Sequence, residues 1–207
     1  TGLAFAVAFH AGLFNIGAEG QATVGGLGVA LVCLSINWPH WLLALPMAMI
    51  GGALFGALWA LIPAYLQAKR GSHIVITTIM FNFIAAALLN YMLVNVLKPA
   101  GEMEPASGPF PPGASLPTLH QILAPFGIPF SDAAPANIAF ILALLACVGV
   151  WLLIWRTKLG YEIRALGHSE SAAVYAGISP VKVVVVAMLL SGGLSGLMAI
   201  NNVMGEA

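Results

Sequence analysis

Amide and carboxyl groups interrupt the apolar N-terminal region in the segment FNIGAEGQ, residues 14–21, which carries Asn15, Glu19 and Gln21. Ionisable groups at membrane depth are costly, and they usually face a cavity or a partner group. Glu19 could therefore line the pathway of a polar solute. A carboxylate is equally suited to the start of a half-helix, where it meets the helix dipole and free N–H groups. Both interpretations of Glu19 stay open, and they are compatible with each other.

Two further amides, Asn82 and Asn90, lie eight residues apart in an apolar run, so they fall near one face of a helix. Each could hydrogen-bond a solute or a neighbouring helix, and bonds of the second kind contribute about 0.6 kcal/mol on average. We group Asn82 with Asn15, Glu19 and Gln21 as the candidate residues that line or shape a substrate pathway.

The segment GLSG, Gly193–Gly196, matches the G-x-S-G pattern of intramembrane serine proteases, with Ser195 as the nucleophile. Such chemistry needs a His base, which in those proteases comes from a later span. All five His residues precede Ser195, so proteolysis is not expected. The sequence contains no P-loop and no dinucleotide fingerprint, and Cys33 and Cys147 form no metal-binding pattern. We predict a chain without catalytic residues, bound metal or cofactor.

The elements that position these residues must be membrane helices. Hydrophobic residues make up 60% of the 207 residues and charged residues only 7%, beyond what a soluble domain of this length can bury. The net charge is zero, which argues against a nucleic-acid partner. Two pairs of glycines with small-xxx-small spacing, Gly52/Gly56 and Gly192/Gly196, predict close packing between helices.

The predicted fold class is all-α, a polytopic transmembrane helical bundle. Runs of about 20 apolar residues can cross the bilayer as helices. Four such runs are found, at about 41–66, 74–97, 136–155 and 183–203. Residues 1–36 are too long for one span and barely long enough for two. Together with the polar residues in that region, this length predicts a broken or re-entrant helix near residues 14–21.

The distribution of basic residues between the loops indicates how the spans are oriented in the membrane. Lys69 and Arg70 follow one span, and the 156–182 loop holds four of the seven basic residues, Arg156, Lys158, Arg164 and Lys182. The 98–135 segment is rich in Pro and Gly and carries one basic residue, Lys98, against three acidic ones. Basic residues near span ends stay cytoplasmic. We therefore predict a cytoplasmic 156–182 loop and a 98–135 loop on the opposite, periplasmic side, within a single membrane domain of residues 1–207.

Three segments carry a family resemblance. TKLGYEIRALGHSESAAVYAGISP with the following VKVVVVAMLLSGGLSGLMAINNVMG resembles the cytoplasmic loop and next span of ABC importer permeases of the branched-chain amino acid and simple-sugar family. FNIGAEGQ and GSHIVITTIMFNFIAAAL resemble the nucleoside and sugar subgroup of that family more closely. Members of the subgroup often have an Asn-Glu pair where this chain has Ser72-His73, so any role of that acid does not transfer. We expect that the chain lacks the family's first and last spans and is a part of a longer subunit.

The resemblance implies a permease of the bacterial inner membrane that takes up a nucleoside or simple-sugar-like solute by alternating access. It also implies a second permease subunit, the same or a paralogue, two cytosolic ATP-binding cassette subunits that hydrolyse ATP, and a periplasmic or lipoprotein solute-binding protein. In this family a short coupling helix of the cytoplasmic loop sits in a groove of the ATPase. Here it would run from about Tyr161 to Ala176. Its expected coupling residues are Tyr161, Arg164, Ala165, Gly167, Ala172, Ala173 and Tyr175.

Ion-coupled secondary transport is the alternative mechanism. An ion-coupled secondary transporter would use Glu19 as a proton or sodium site. The sequence has only this one acid deep in its apolar runs, no embedded base, and a polar loop that such a transporter would not need.

Overall fold

The computed structural model describes residues 1–99, 101, 107–118, 120, 122 and 137–205. Much of the predicted 98–135 loop therefore lies outside the described residues. Within the described residues the regular structure consists of eight α-helices. They are α1 (Gly2–His10), α2 (Ala18–Ser35), α3 (Trp41–Arg70), α4 (Ile74–Met92), α5 (Ala139–Arg156), α6 (Lys158–His168), α7 (Glu170–Tyr175) and α8 (Pro180–Met204). A π-helical turn, Leu93–Leu97, extends α4, and a 3₁₀ turn spans Pro112–Ala114.

Five of these helices are long and apolar enough to cross a membrane. Four of them, α3, α4 with its extension, α5 and α8, confirm the predicted spans to within four residues at each end. The fifth is α2, which follows a break in the N-terminal region. Large apolar side chains point outward along α3, α4 and α5, as lipid-facing surfaces require.

Glycines bring α2, α3 and α8 into backbone contact. Gly25 of α2, Gly52 and Gly56 of α3, and Gly192 and Gly196 of α8 meet at one point, which we call the glycine crossing. A methyl group added at Gly196 would collide with the carbonyl oxygen of Gly52, and one added at Gly56 with that of Gly192. The close approach predicted from the two small-xxx-small pairs is therefore confirmed.

The bundle has two chemically different ends. At the end that carries α6 and α7, Ile163, Leu166 and Ala173 pack with the last turn of α1, Ile154 of α5 and the first turns of α8. The terminus of α3 that carries Lys69 and Arg70 also lies here, and we call this end of the bundle the basic end. At the opposite end, Ala114 and Leu116 pack against the ends of α2, α3 and α8. The N–H of Leu116 donates to the carbonyl of Met204 over 2.9 Å, which holds the described part of the outer segment against α8.

Candidate functional site

The N-terminal helix break is confirmed, but its position differs from the prediction. α1 ends at His10 and α2 begins at Ala18, so the break spans residues 11–17 rather than 14–21. Gly12 adopts a positive φ of 76°, a conformation that glycine reaches without strain. Glu19 and Gln21 lie within the first turn of α2. The prediction placed the break too late because the polar side chains mark its edge, whereas the backbone turns before them.

Asn15 and Gln21 form a buried amide network inside the break. The Asn15 Nδ2 group donates to Gln21 Oε1 over 3.0 Å and to Ser191 Oγ over 2.9 Å. The Asn15 Oδ1 atom accepts from the backbone N–H of Gly17 over 3.0 Å and from Gln21 Nε2 over 3.3 Å. The Ser191 hydroxyl in turn donates to the carbonyl of Ala4 over 2.7 Å. The network thus joins α1, the break, α2 and α8, and it uses the full hydrogen-bonding capacity of the Asn15 amide.

Asn82 joins α4 to the same region. Its Oδ1 atom accepts from the N–H of Gly20 over 2.9 Å, and its Nδ2 group donates to the carbonyl of Ile16 over 3.1 Å. One side chain therefore satisfies a free donor in the first turn of α2 and a free acceptor in the break. The contact is possible because Gly20 has no side chain, and a methyl group there would lie 2.8 Å from Asn82 Oδ1.

The side chain of Glu19 is exposed, whereas that of Gln21 is buried in the amide network. The Glu19 side chain accepts no cap hydrogen bond and lines a cavity of about 760 Å³. The cavity lies between α2, the end of α4, residues 107–110 and α8. Its polar lining includes Thr23, Ser107 and Asn202. Glu19 is in the first helical turn, where the dipole favours a carboxylate, and it also faces a cavity, so the geometry is compatible with both interpretations.

A second cavity of about 770 Å³ lies between α1, α5 and α8. Apolar side chains form most of its walls, and none of the four predicted pathway residues lines it. The cavity beside Glu19 is therefore the better candidate for a polar solute.

The segment predicted to form one coupling helix, Tyr161 to Ala176, is divided between two helices, α6 and α7. α6 ends at His168, and Ser169 caps α7 by accepting from the N–H of Ala172 over 3.3 Å. Thr157 caps α6 in the same way, accepting from the N–H of Gly160 over 3.0 Å. Ser and Thr compete with a continuous helix at such positions, because their side chains replace backbone hydrogen bonds.

The predicted coupling residues lie on two different surfaces. Tyr161 and Ala172 are exposed, and Tyr175 is 96% exposed at the end of α7. Ala173 is only 1% exposed and packs into the basic-end cluster. The Arg164 guanidinium lies over the ring of Trp155, 4.6 Å from its centroid. Ala165 is half-buried. The surface available to a partner is therefore the outer face of α7 together with Tyr161.

Two glycines connect α6 to the membrane helices. A methyl group at Gly160 would collide with the carbonyls of Leu153 and Ile154 at the end of α5. One at Gly167 would collide with the carbonyl of His10, the last residue of α1. Gly167 thus joins the loop directly to the start of the helix break.

The other possible chemistries are not supported by the geometry. The Ser195 hydroxyl is fully buried and donates to the carbonyl of Ser191 over 3.0 Å, an ordinary bond within a helix. Among the described residues no cluster of His, Cys, Asp or Glu could hold a metal ion.

Sequence reasoning missed several residues around the break and the cavity. Ser191 was not recognised as the partner of Asn15, although a Ser one helical turn before Ser195 was a signal. Asn202 and Phe110 line the cavity with Glu19, yet they are far from it in sequence. The contact between Gly167 and His10 gives no sequence signal beyond the glycine itself.

The comparisons with known proteins agree with one another. The sequence model of the family described as "Branched-chain amino acid transport system / permease component" matches residues 1–205. The guanosine ABC transporter permease protein NupP of Bacillus subtilis is 40% identical over 95% of this chain and 54% of its own length. The nucleoside ABC transporter permease protein NupB of Lactococcus lactis is 34% identical over 95% of this chain and 53% of its own. The glucose ABC transporter permease protein TsgB13 of Haloferax volcanii is 34% identical over 99% and 53%.

This chain spans about half the length of these curated relatives. No solved structure shows a significant match.

Proposed function

The chain belongs to the family of branched-chain amino acid transport system permease components, and we propose that it forms the transmembrane pathway of an ABC importer for a nucleoside or sugar-like solute. It is a multi-pass membrane protein of the bacterial inner membrane, and five helices among the described residues are long and apolar enough to cross a membrane. The observation that carries the proposal is the pairing of a mostly apolar cavity that holds a few polar side chains, among them Glu19, with an exposed helical surface at the basic end of the bundle. The relatives give no support to ion-coupled transport at Glu19.

In this proposal the solute passes through the cavity beside Glu19. Binding sites for small molecules are concave and mostly apolar, with a few well-placed polar groups, and this cavity has that character. Asn15, Gln21 and Asn82 take part by holding the break and the first turn of α2, so that Glu19 stays at the cavity wall. They shape the pathway, and Glu19 lines it.

The proposed partner surface for a cytosolic ATPase is the outer face of α7. Tyr175 and Val174 are 96% and 54% exposed there. Because α7 lies at the basic end of the bundle, these side chains would face water rather than lipid if no partner covered them. Exposed aromatic and apolar side chains beside polar ones are typical of protein interfaces. Ala172 adds a small residue that permits close approach, and Tyr161 of α6 extends the surface.

The contacts of α6 suggest how movement at this surface reaches the cavity. A displacement of α6 must move the end of α5 and the end of α1, because Gly160 and Gly167 leave no clearance at either contact. The end of α1 leads into the break, where Asn15 connects α2 and α8. ATP-driven closure of the ATPases would thereby tilt the first turn of α2 and change access to the cavity, as alternating access requires.

A second permease subunit and a solute-binding protein complete the proposed transporter. The binding protein would act at the end opposite α6 and α7, where residues 107–116 pack over the bundle. This orientation agrees with the basic residues at the ends of α3 and α5, which mark the cytoplasmic side.

The test is co-purification of the full-length permease with its ATPase in mild detergent. We expect Tyr175→Glu to abolish capture of the nucleotide-binding subunit, because it removes an aromatic contact and adds a charge at the interface. Ile36→Glu is the control, since Ile36 is also exposed but lies in the loop between α2 and α3, at the opposite end of the bundle.

Two results would contradict the proposal. One is undiminished ATPase capture by the Tyr175 variant. The other is a permease that purifies alone and still moves solute in liposomes without ATP.

A further inference from the structure

The cavity beside Glu19 contains an aromatic ring that the sequence did not connect to it. Phe110 lines the cavity from the outer segment, and Asn202 lines it from the last turn of α8. Thr23 lies one helical turn after Glu19, and its hydroxyl donates to the Glu19 carbonyl over 2.9 Å. Within the described part of the chain, neither the Glu19 carboxylate nor the Asn202 amide has a hydrogen-bond partner. Both groups can therefore receive one from a solute.

We propose that Phe110, Glu19 and Asn202 form a nucleoside-binding site in which Phe110 determines the preference for solutes that carry a base over free sugars. The inference rests on the proposed function, because it assigns a substrate class to the same cavity.

The chemistry of the three groups matches the two halves of a nucleoside. An ionised carboxylate only accepts hydrogen bonds, and the adjacent 2′- and 3′-hydroxyls of a ribose are suitable donors, as in dinucleotide sites where an acid binds the ribose. An amide such as Asn202 can both donate to and accept from the polar edge of a base or a sugar. The ring of Phe110 offers a flat apolar surface on which a base of any kind can stack.

A free hexose would use this site less completely. It has hydroxyls for Glu19 and Asn202 but lacks a flat aromatic group for Phe110. The apolar walls contributed by Leu27, Leu89 and Leu93 also favour a solute with an aromatic portion over one that is hydroxylated on every side. Preference for a nucleoside over a hexose therefore depends on Phe110, whereas Glu19 serves both solutes.

The experiment measures equilibrium binding of labelled guanosine to the full-length permease–ATPase complex in lipid nanodiscs, without the binding protein. We expect Phe110→Leu to weaken binding about tenfold, the effect of losing one stacked base. Phe110→Tyr keeps the ring and should bind guanosine as the parent protein does. Phe83→Leu is the control for loss of an aromatic ring elsewhere, because Phe83 is 73% exposed and does not line this cavity.

Competition then separates the solute classes. Uridine should displace guanosine from the parent complex, and D-glucose at the same concentration should not. The inference is overturned if Phe110→Leu binds guanosine unchanged, if Phe110→Tyr is as weak as Phe110→Leu, or if glucose competes as well as uridine. ATP-driven uptake of glucose by a complex that does not bind guanosine would leave the proposed function standing and overturn this inference alone. Absence of ATP-driven uptake for every solute would overturn both.

Discussion

Asn15 illustrates how one side chain can hold a broken helix inside a membrane. Lipid offers no hydrogen bonds to the backbone groups that a break sets free, so the protein must supply them. Asn15 accepts from Gly17, which lies in the break, and donates to Ser191 on a distant helix. The residue type was a usable sequence signal, but the identity of the partners was not, because Ser191 is 176 residues away.

We predict that Asn15→Leu destabilises the protein. The substitution leaves the Gly17 N–H, the Gln21 amide and the Ser191 hydroxyl with fewer partners, at about 1–3 kcal/mol for each buried group left unpaired. The measurement is thermal unfolding of the full-length protein in detergent, where the midpoint should fall. Asn95→Leu is the control, because Asn95 is exposed and, among the described residues, its side chain bonds only to the carbonyl of Tyr91. An equal midpoint for both variants would contradict the structural role of Asn15.

Glu19 should matter for transport and little for stability. Its carboxylate makes no hydrogen bond within the described residues and lies at the cavity wall, so its removal leaves the packing intact. We expect Glu19→Ala to lower solute uptake severalfold while the amount of assembled transporter stays the same. Uptake in cells, measured beside the quantity of purified complex, tests this expectation. Unchanged uptake would remove Glu19 from the pathway.

The helices themselves were largely predictable, because apolar length and turn chemistry both indicated them. α3, α4, α5 and α8 follow from runs of apolar residues. The boundary between α6 and α7 was missed although two residues signal it: Gly167 disfavours a continuous helix and Ser169 is a good cap. The inward orientation of Ala173 was also missed, because a residue of this size suits a buried contact and an exposed one equally well.

At the level of elements, Gly167→Val should uncouple ATP hydrolysis from transport. The added side chain pushes α6 away from the carbonyl of His10 and changes the contact through which movement of the loop reaches the break. We expect ATPase activity of the assembled complex to persist while solute uptake falls at least severalfold. Gly149→Ala is a suitable control, since a methyl group there meets nothing within 4 Å. A Gly167→Val transporter with the normal ratio of uptake to hydrolysis would exclude this route.

The glycine crossing predicts a sharp difference between two neighbouring positions of α8. Gly196→Ala should prevent the close contact with Gly52 and lower the yield of folded protein strongly. Gly193→Ala should be tolerated, because the nearest atom would be 3.5 Å away, an ordinary contact. Comparison of the monodisperse fractions after detergent extraction tests the pair. Equal yields would show that α3 and α8 do not meet in this way.

At the scale of the whole molecule, the distribution of charge is consistent with the proposed orientation in the membrane. The basic residues predict that the 156–182 loop is cytoplasmic, and the structure brings the termini of α3 and α5 to the same end as α6 and α7. The lining of the cavity was not predictable, because it combines α2, α4, residues 107–110 and α8 from distant parts of the sequence.

The orientation can be tested with single cysteines. Lys158→Cys should react with a membrane-impermeant thiol reagent in inverted vesicles and not in intact cells, whereas Pro112→Cys should show the opposite pattern. The parent protein is the control, since Cys33 is buried and Cys147 lies within the apolar helix α5. Labelling of both variants from the same side would contradict the proposed topology.

The glycine crossing also constrains how such a protein can evolve. Where backbones touch, any added side chain would collide with the neighbouring helix, so substitutions at Gly52, Gly56 and Gly196 should disrupt the packing before they could alter the solute. The cavity-facing sides of α2 and α8 belong to the same helices but are free of this restriction. Substitutions at a few cavity positions could therefore change the solute that the proposed pathway accepts, while the backbone geometry of the helices stays the same.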